Sequence, residues 1–296
     1  LVTFYLMTLR VVRYGQHLWT GLLCIVCALQ GQTQDSALLW KISGNGLSKP
    51  SYLFGTIHLI CPESLQFSDA LQSAFQQSEK LCLEMDMDQP GLMLKTMRLS
   101  MQVRQPLKEL FTAEQYAHID QFLKDSLGIG LPVFHRMRPF TLLSALYTKV
   151  PRCRKPVSVE EKLMEIARRQ RKEVDGLETL EDQFGVFDQI PDTAQARMIW
   201  EMIQDFSNQQ TEFLHMVEAY RTENLPVLSA MTQAAPDMAG FEALLLQQRN
   251  RRWIPMMQQA MSNASVFFAV GAGHLAGKEG LLSLLRKAGY SIEALR

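Results

Sequence analysis

No charge of either sign predominates in this chain: thirty Lys and Arg residues balance thirty Asp and Glu, and the formal net charge is zero. That removes the electrostatic case for a protein that coats nucleic acid, because such affinity comes from clustered basic side chains neutralising phosphates. Long hydrophobic runs are missing as well. The most apolar stretch, Leu18 to Leu29, falls well short of the roughly 18 residues that a membrane-spanning helix needs. There is no low-complexity segment and no solenoid period. Cysteine is scarce, at five residues in 296. What remains, 47% apolar and 20% charged residues, is the composition of a globular chain that can bury a full core.

The apolar stretch has a direction. Arg10 and Arg13 precede it and the polar segment Gln30-Gly31-Gln32-Thr33-Gln34-Asp35 follows it, which is the profile of a signal peptide. The expected division is a signal segment at 1–34, cleaved somewhere between about Ala28 and Asp35, and a functional domain at 35–296. Cys24 and Cys27 lack a small residue before them, which argues against lipid attachment. In the oxidising compartment that export implies, Cys61, Cys82 and Cys153 allow at most one internal bridge. Cys82 lies in an apolar run and is expected to be a buried thiol. Cys61 and Cys153 both stand in Pro-containing loops and are expected to pair, with three free thiols as the alternative.

The pattern along the chain is that of an α/β protein. Ala37 to Ile42 and Ser51 to Phe54 read as two strands joined through Gly44-Asn45-Gly46, a hairpin signature. Ser68 to Ser78 reads as an amphipathic helix capped by Ser68-Asp69, and Leu81 to Met85 as the next strand. This strand–helix–strand order favours a parallel pair. From Pro90 to Val150 the chain is helical and Met-rich, broken near Gly128 to Pro132 and at Pro139. A helix from Val159 to Arg171 leads into a strand-like Glu173 to Glu178, and further helices span Thr193 to Tyr220 and Phe241 to Met261. Their Met and Phe stripes are expected to be core. The chain closes with a strand Ser265 to Val270, a helix from about Lys278 to Lys287, Gly289 at its C-cap and a short edge strand. The expected fold is a single α/β domain, a central mixed and mostly parallel sheet flanked by helices, with a large helical insertion.

Two segments carry the chemistry. Gly55-Thr56-Ile57-His58-Leu59 and Gly271-Ala272-Gly273-His274-Leu275 share the pattern Gly-x-x-His-Leu, and each follows an apolar strand containing Phe. Average Gly usage of about 7% would give six His residues only about 0.4 such cases. Gly lets the backbone turn without a Cβ clash, and open α/β sheets place their crevice at the carboxyl ends of the strands. His58 and His274 should therefore face one crevice. A carboxylate at a neighbouring strand end would complete a metal site, and Glu84 is the candidate, with Asp86 and Asp88 read as a solvated loop. Glu178, near Glu181 and Gln183, could orient a ligand or act as a general base. Arg249, in Arg249-Asn250-Arg251-Arg252-Trp253, could bind a substrate carboxylate or oxyanion, or simply pair with an acid.

Taken together, the Gly55-Thr56-Ile57-His58 turn, Glu84, Gly176-Leu177-Glu178-Thr179 with Gln183, Arg249-Asn250-x-x-Trp253 and Gly271-Ala272-Gly273-His274-Leu275-x-Gly277 resemble the TraB/GumN family, related to the Tiki proteases, over roughly residues 37 to 296. The resemblance implies an exported protein of the bacterial periplasm or cell envelope. It also implies a metal-dependent hydrolase, most simply a metallopeptidase acting on peptide or protein. His58, His274 and Glu84 would hold a divalent ion (Mn, Co or Zn, which the sequence does not distinguish). Family members often carry Gly-x-Asp or Gly-x-Glu before the middle helix. Ser158-Val159-Glu160 stands there in this chain, and the role of Glu160 is left open. Two alternatives stand beside this reading: a metal-independent, esterase-like hydrolase with His as general base, and an envelope protein that binds haem, a metal or a peptide without turnover. Nucleic acid is not expected as a partner. Peripheral association with a membrane and the oligomeric state stay open.

Overall fold

The hairpin forms as its turn residues dictate. Strands β1 (Leu39–Gly44) and β2 (Ser51–Thr56) pair antiparallel from Leu39 opposite Phe54 to Ile42 opposite Ser51. The connection begins with three successive residues of positive φ, Gly44, Asn45 and Gly46, a conformation that Gly and Asn adopt at least cost. The computed structural model describes residues 36–101, 104–234 and 240–296. The expected signal segment, with Cys24 and Cys27, lies outside the described residues.

After β3 (Leu59–Ile60), helix α1 (Asp69–Gln77) starts under the Ser68 hydroxyl, which accepts the Leu71 N–H at 3.2 Å, and buries Leu71, Ala74 and Phe75. Strand β4 (Lys80–Met85) follows. Helices α2 (Leu92–Ser100), α3 (Ala113–Leu127) and α4 (Pro139–Tyr147) form the insertion. A capping box of Thr112 and Gln115 opens α3, and Gly128, in the left-handed region, ends it. The chain then runs through β5 (Val157–Ser158), α5 (Val159–Arg169) and β6 (Glu173–Glu178). Helices α6 (Leu180–Phe187), α7 (Asp192–Gln204), α8 (Phe206–Arg221) and α9 (Leu225–Ala234) follow. A π turn at Ala243–Gln247 leads into α10 (Gln248–Asn263), then β7 (Val266–Gly271), α11 (Leu281–Lys287) and β8 (Tyr290–Leu295).

The main sheet has the order β6-β4-β7-β2-β1-β8. Strands β6, β4, β7 and β2 are parallel, and β1 runs antiparallel to both β2 and β8. The fold is thus the single α/β domain with a mixed, mostly parallel sheet that the pattern predicted. One pairing differs. Strands β2 and β4, expected side by side, are separated by β7, whose six residues are all buried, as are those of β2. A strand apolar on both faces takes the centre because only there are both faces covered.

Most of the Met and Phe stripes are core, as in Met198, Met202, Met257, Met261, Phe184 and Phe187. Met256 is an exception, and so is much of helix α2. That helix turns Leu92 and Leu99 toward Met85, Leu180 and Phe184 and leaves Met93, Leu94, Met97 and Met101 exposed. Among the described residues no helix is long and apolar enough to cross a membrane.

Cys61 and Cys153 form a disulfide across 92 positions, and Cys82 is a buried thiol whose titration burial pushes far up. The bridge joins the segment after His58 to the return of the insertion, where β3 and β5 also pair, Leu59 with Ser158 and Ile60 with Val157. Closing so long a loop should contribute about 4 kcal/mol. Reduction, or Cys153→Ser, should therefore lower the urea midpoint accordingly; an unchanged midpoint would show that the bridge does not constrain the unfolded chain. A second expectation concerns Gly176, where an added Cβ would lie 2.2 Å from the Asp86 backbone nitrogen and 2.7 Å from the Met85 carbonyl carbon. Because backbone cannot yield as a side-chain tip can, Gly176→Ala should cost about 1–3 kcal/mol, read by thermal or urea unfolding.

Candidate active site

The parallel strands bring four chemical residues to one edge of the sheet. Strand β2 leads into His58, β7 into His274, while β4 carries Glu84 one residue before its end and β6 ends on Glu178. The two Gly-x-x-His turns start in adjacent register, with Gly55 opposite Val270 and Thr56 opposite Gly271. Gly55 serves close approach: a Cβ there would stand 3.0 Å from Leu275 and 3.2 Å from Ala272. Gly271 has φ −54°, so its place does not come from a left-handed turn.

Arg249, from α10, lies at the centre and is 1% exposed. Its Nη2 donates to Glu84 Oε2 at 2.7 Å and to Glu178 Oε1 at 2.5 Å, and its Nε reaches both Glu178 oxygens at 3.1 Å. Its Nη1 donates to the Leu245 carbonyl at 3.1 Å and to His274 Nε2 at 3.2 Å. Two buried carboxylates and one buried guanidinium satisfy one another in this way, which is the condition under which charges can be buried at all. Burial works against the Arg249 charge, but the Glu84 and Glu178 carboxylates outweigh it and raise its pKa. Burial raises the Glu84 carboxyl, against the opposing pull of Arg249, His58 and the Gly271 N–H that donates to Oε1 at 2.8 Å.

His274 is fully buried and neutral: burial first, then Arg249 and His58, push its pKa well below the ordinary value. Because Arg249 is donor-only, Nε2 accepts, and the proton sits on Nδ1, which donates to Asn250 Oδ1 at 2.5 Å. The Asn250 amide is oriented by its own N–H bonds to the carbonyls of His274 at 3.3 Å and Glu279 at 2.8 Å. Trp253 donates to Glu178 Oε2 at 3.1 Å and places its ring 4.4 Å from the imidazole.

His58 forms the second half of the site. Its Nδ1 lies 2.6 Å from Glu160 Oε1, which also accepts the Thr56 hydroxyl at 2.6 Å, while Ser158 donates to Oε2 at 3.0 Å. Burial alone would raise the Glu160 carboxyl; the His58 charge and the hydrogen bonds from His58 and Thr56 outweigh it and hold it at about 2. An ionised acceptor on Nδ1 fixes the tautomer, so the neutral ring keeps its lone pair on Nε2. A proton on His58 would act electrostatically on both Glu84 and His274, which ties the two halves together.

Of the residues singled out in the sequence, Glu84, Glu178, Arg249 and His274 thus share one network, and His58 stands beside it. Asp86 accepts the Asp88 N–H, Asp88 pairs with Arg168, and Glu181 pairs with Lys95 at 2.7 Å, all outside the network. Gln183 is buried on α6. Sequence reasoning gave no role to Glu160 and none to Asn250 beyond the Arg-Asn resemblance; an acid in the first turn of the helix after a short strand was the available signal for Glu160. Among the described residues no three His, Cys, Asp or Glu side chains converge in an arrangement that could hold a metal ion; Arg249 N–H groups occupy His274 Nε2 and Glu84 Oε2.

Metalloprotease TIKI1 of Danio rerio is 23% identical over 88% of this chain, and a Metalloprotease TIKI homolog of Amphimedon queenslandica is 24% identical over 89%. The chain spans 64% and 62% of those proteins' own lengths. No solved structure matches the chain. The family model for TraB/PrgY/gumN proteins matches residues 38–294, from the first strand of the sheet through both Gly-x-x-His turns to the last, and the chain belongs to that family.

Proposed function

We propose that the chain is a metal-dependent hydrolase, a Tiki-like peptidase, in which His58, Glu84 and His274 are the ligands of a divalent ion. The observation that carries this reading is the common manner in which the two imidazoles are held. Each is fixed through Nδ1, His58 by Glu160 and His274 by Asn250, so each keeps Nε2 as its basic nitrogen. Ligand histidines are oriented in this way by a carboxylate or carbonyl on the far ring nitrogen. His274 Nε2 and Glu84 Oε1 are 3.8 Å apart. Two neutral imidazoles and a carboxylate fit Mn, Co or Zn by donor chemistry. Such an ion would supply a Lewis acid for a carbonyl oxygen and an activated water.

The chain's own residues would divide the remaining work. Arg249 would release His274 and Glu84 to the ion and stay paired with Glu178, leaving its Nη1 N–H to donate to an oxyanion. Glu178, already accepting from Arg249 and Trp253, positions Arg249 more readily than it moves a proton. Glu160 keeps His58 in its tautomer. Relatives named as metalloproteases support the reaction class. The Cys61–Cys153 bridge supports an oxidising compartment, in line with export to a bacterial periplasm or envelope.

A second reading keeps the residues and changes the roles: His58, backed by ionised Glu160, acts as general base on water without an ion. The Arg249 contacts on His274 and Glu84 favour it. A haem-ligating pair is not adopted, because His274 is sealed among Arg249, Asn250 and Trp253.

Metal analysis alongside cleavage of an unfolded polypeptide separates these readings. The wild-type chain should carry about one divalent ion and cleave; His58→Ala should remain folded by circular dichroism and lose both. Glu160→Gln should weaken ion affinity about 10–100-fold. Full activity in chelated protein would remove the ligand assignment and leave the His58–Glu160 base.

A further inference from the structure

Strand β6 ends the main sheet and, among the described residues, pairs on one side only, with β4. A strand left with a free edge presents backbone N–H and C=O groups that can pair with another extended chain. The carboxyl half of this strand, Gly176 to Glu178, also lines a cleft of about 450 Å³, shared with Met85, Leu180, Trp253 and Met256. The cleft shares two residues with the buried network: Glu178 is bonded to Arg249, and Trp253 lies against His274.

We infer that an extended peptide segment binds as an added strand along the free edge of β6, seating an apolar side chain in this cleft. The catalytic consequence rests on the hydrolase reading above; the binding does not. Main-chain pairing gives such a complex affinity without fixing the sequence, and the pocket for alternate side chains gives selectivity. Here the selecting surface is thioether and indole, Met85, Met256 and Trp253, which adapts to aliphatic and aromatic side chains alike. The charged groups of the lining are Asp86, Glu178 and Asp182 against a single Arg252. Glu178 is already neutralised by Arg249, and the remaining pair, Asp86 and Asp182, outnumbers Arg252, which favours a peptide that carries Lys or Arg beside the apolar residue and disfavours an acidic one. A folded domain has already paired its own strands, so the substrate class is an unfolded or extended polypeptide.

The test mixes the full chain with a short synthetic peptide of Thr and Val around a central Leu-Lys pair, its Leu-Glu counterpart, and a form of the first with alternate amides N-methylated. Hydrogen exchange should slow across residues 173–179 on addition of the Leu-Lys peptide. The Leu-Glu peptide should bind more weakly and the N-methylated form not at all. Met256→Arg, at a position 44% exposed and so tolerant of replacement, should weaken binding about tenfold with an unchanged unfolding midpoint. Protection confined to the exposed methionine face of α2, or undiminished binding of the N-methylated peptide, would overturn the assignment. Protection at β6 without cleavage would uphold the binding edge and remove the hydrolase reading; cleavage without protection at β6 would do the reverse.

Discussion

The structure around the site depends on one buried cation. The guanidinium of Arg249 is almost wholly removed from water, and taking such an ion out of solvent is sustainable only when its hydrogen-bond donors all meet acceptors of suitable charge. Two carboxylates, a carbonyl and an imidazole supply them. Each comes from a different element, so the network fixes where β4, β6 and β7 end relative to α10. Asn250, the next residue on the same helix, extends the constraint by orienting His274. Ordering of this end of the sheet and neutralisation of its charges are therefore the same event.

The other half of the site is built by different means. His58 sits at the end of a buried strand but is oriented by Glu160, which begins α5 on the far side of the helical insertion. A two-stranded sheet and a disulfide bring the two segments together. The insertion thus returns the chain to the place it left, and an ionised carboxylate is delivered to the imidazole. One imidazole is set by a neutral amide in a sealed pocket and the other by a charged carboxylate nearer solvent, with its side chain 18% exposed. The more accessible ring is the better placed to meet a substrate.

This division separates what holds the site from what can act in it. Arg249, Glu178, Asn250 and Trp253 are saturated with partners, and their geometry is rigid because each contact excludes an alternative. The open ground lies at the sheet's outer strand, β6, where the cleft begins.

How much of this was legible in the sequence differs from residue to residue. The paired Gly-x-x-His turns could be read because strand, glycine and histidine lie within a few positions, and strand direction then placed both rings at one edge. Glu84 was found from its position at a strand end, and the Cys61–Cys153 pairing from its two loops. Arg249 could be noticed but not given its partners, since Glu178 lies 71 positions away and Glu84 165. Glu160 was left without a role for the same reason: the Thr56 hydroxyl it meets is 104 positions distant. Met256 lies in a helix whose Met stripe is expected to be core, yet it is exposed, because periodicity marks an apolar face without saying what covers it. By itself, then, the sequence determined the α/β class, the order of its elements and the residues able to do chemistry, since these follow from local periodicity, turn geometry and side-chain type. Only the tertiary structure decided which strand stands between which, which carboxylate serves which imidazole, and that a buried arginine joins them, because long-range pairing is set by the packing of the whole chain.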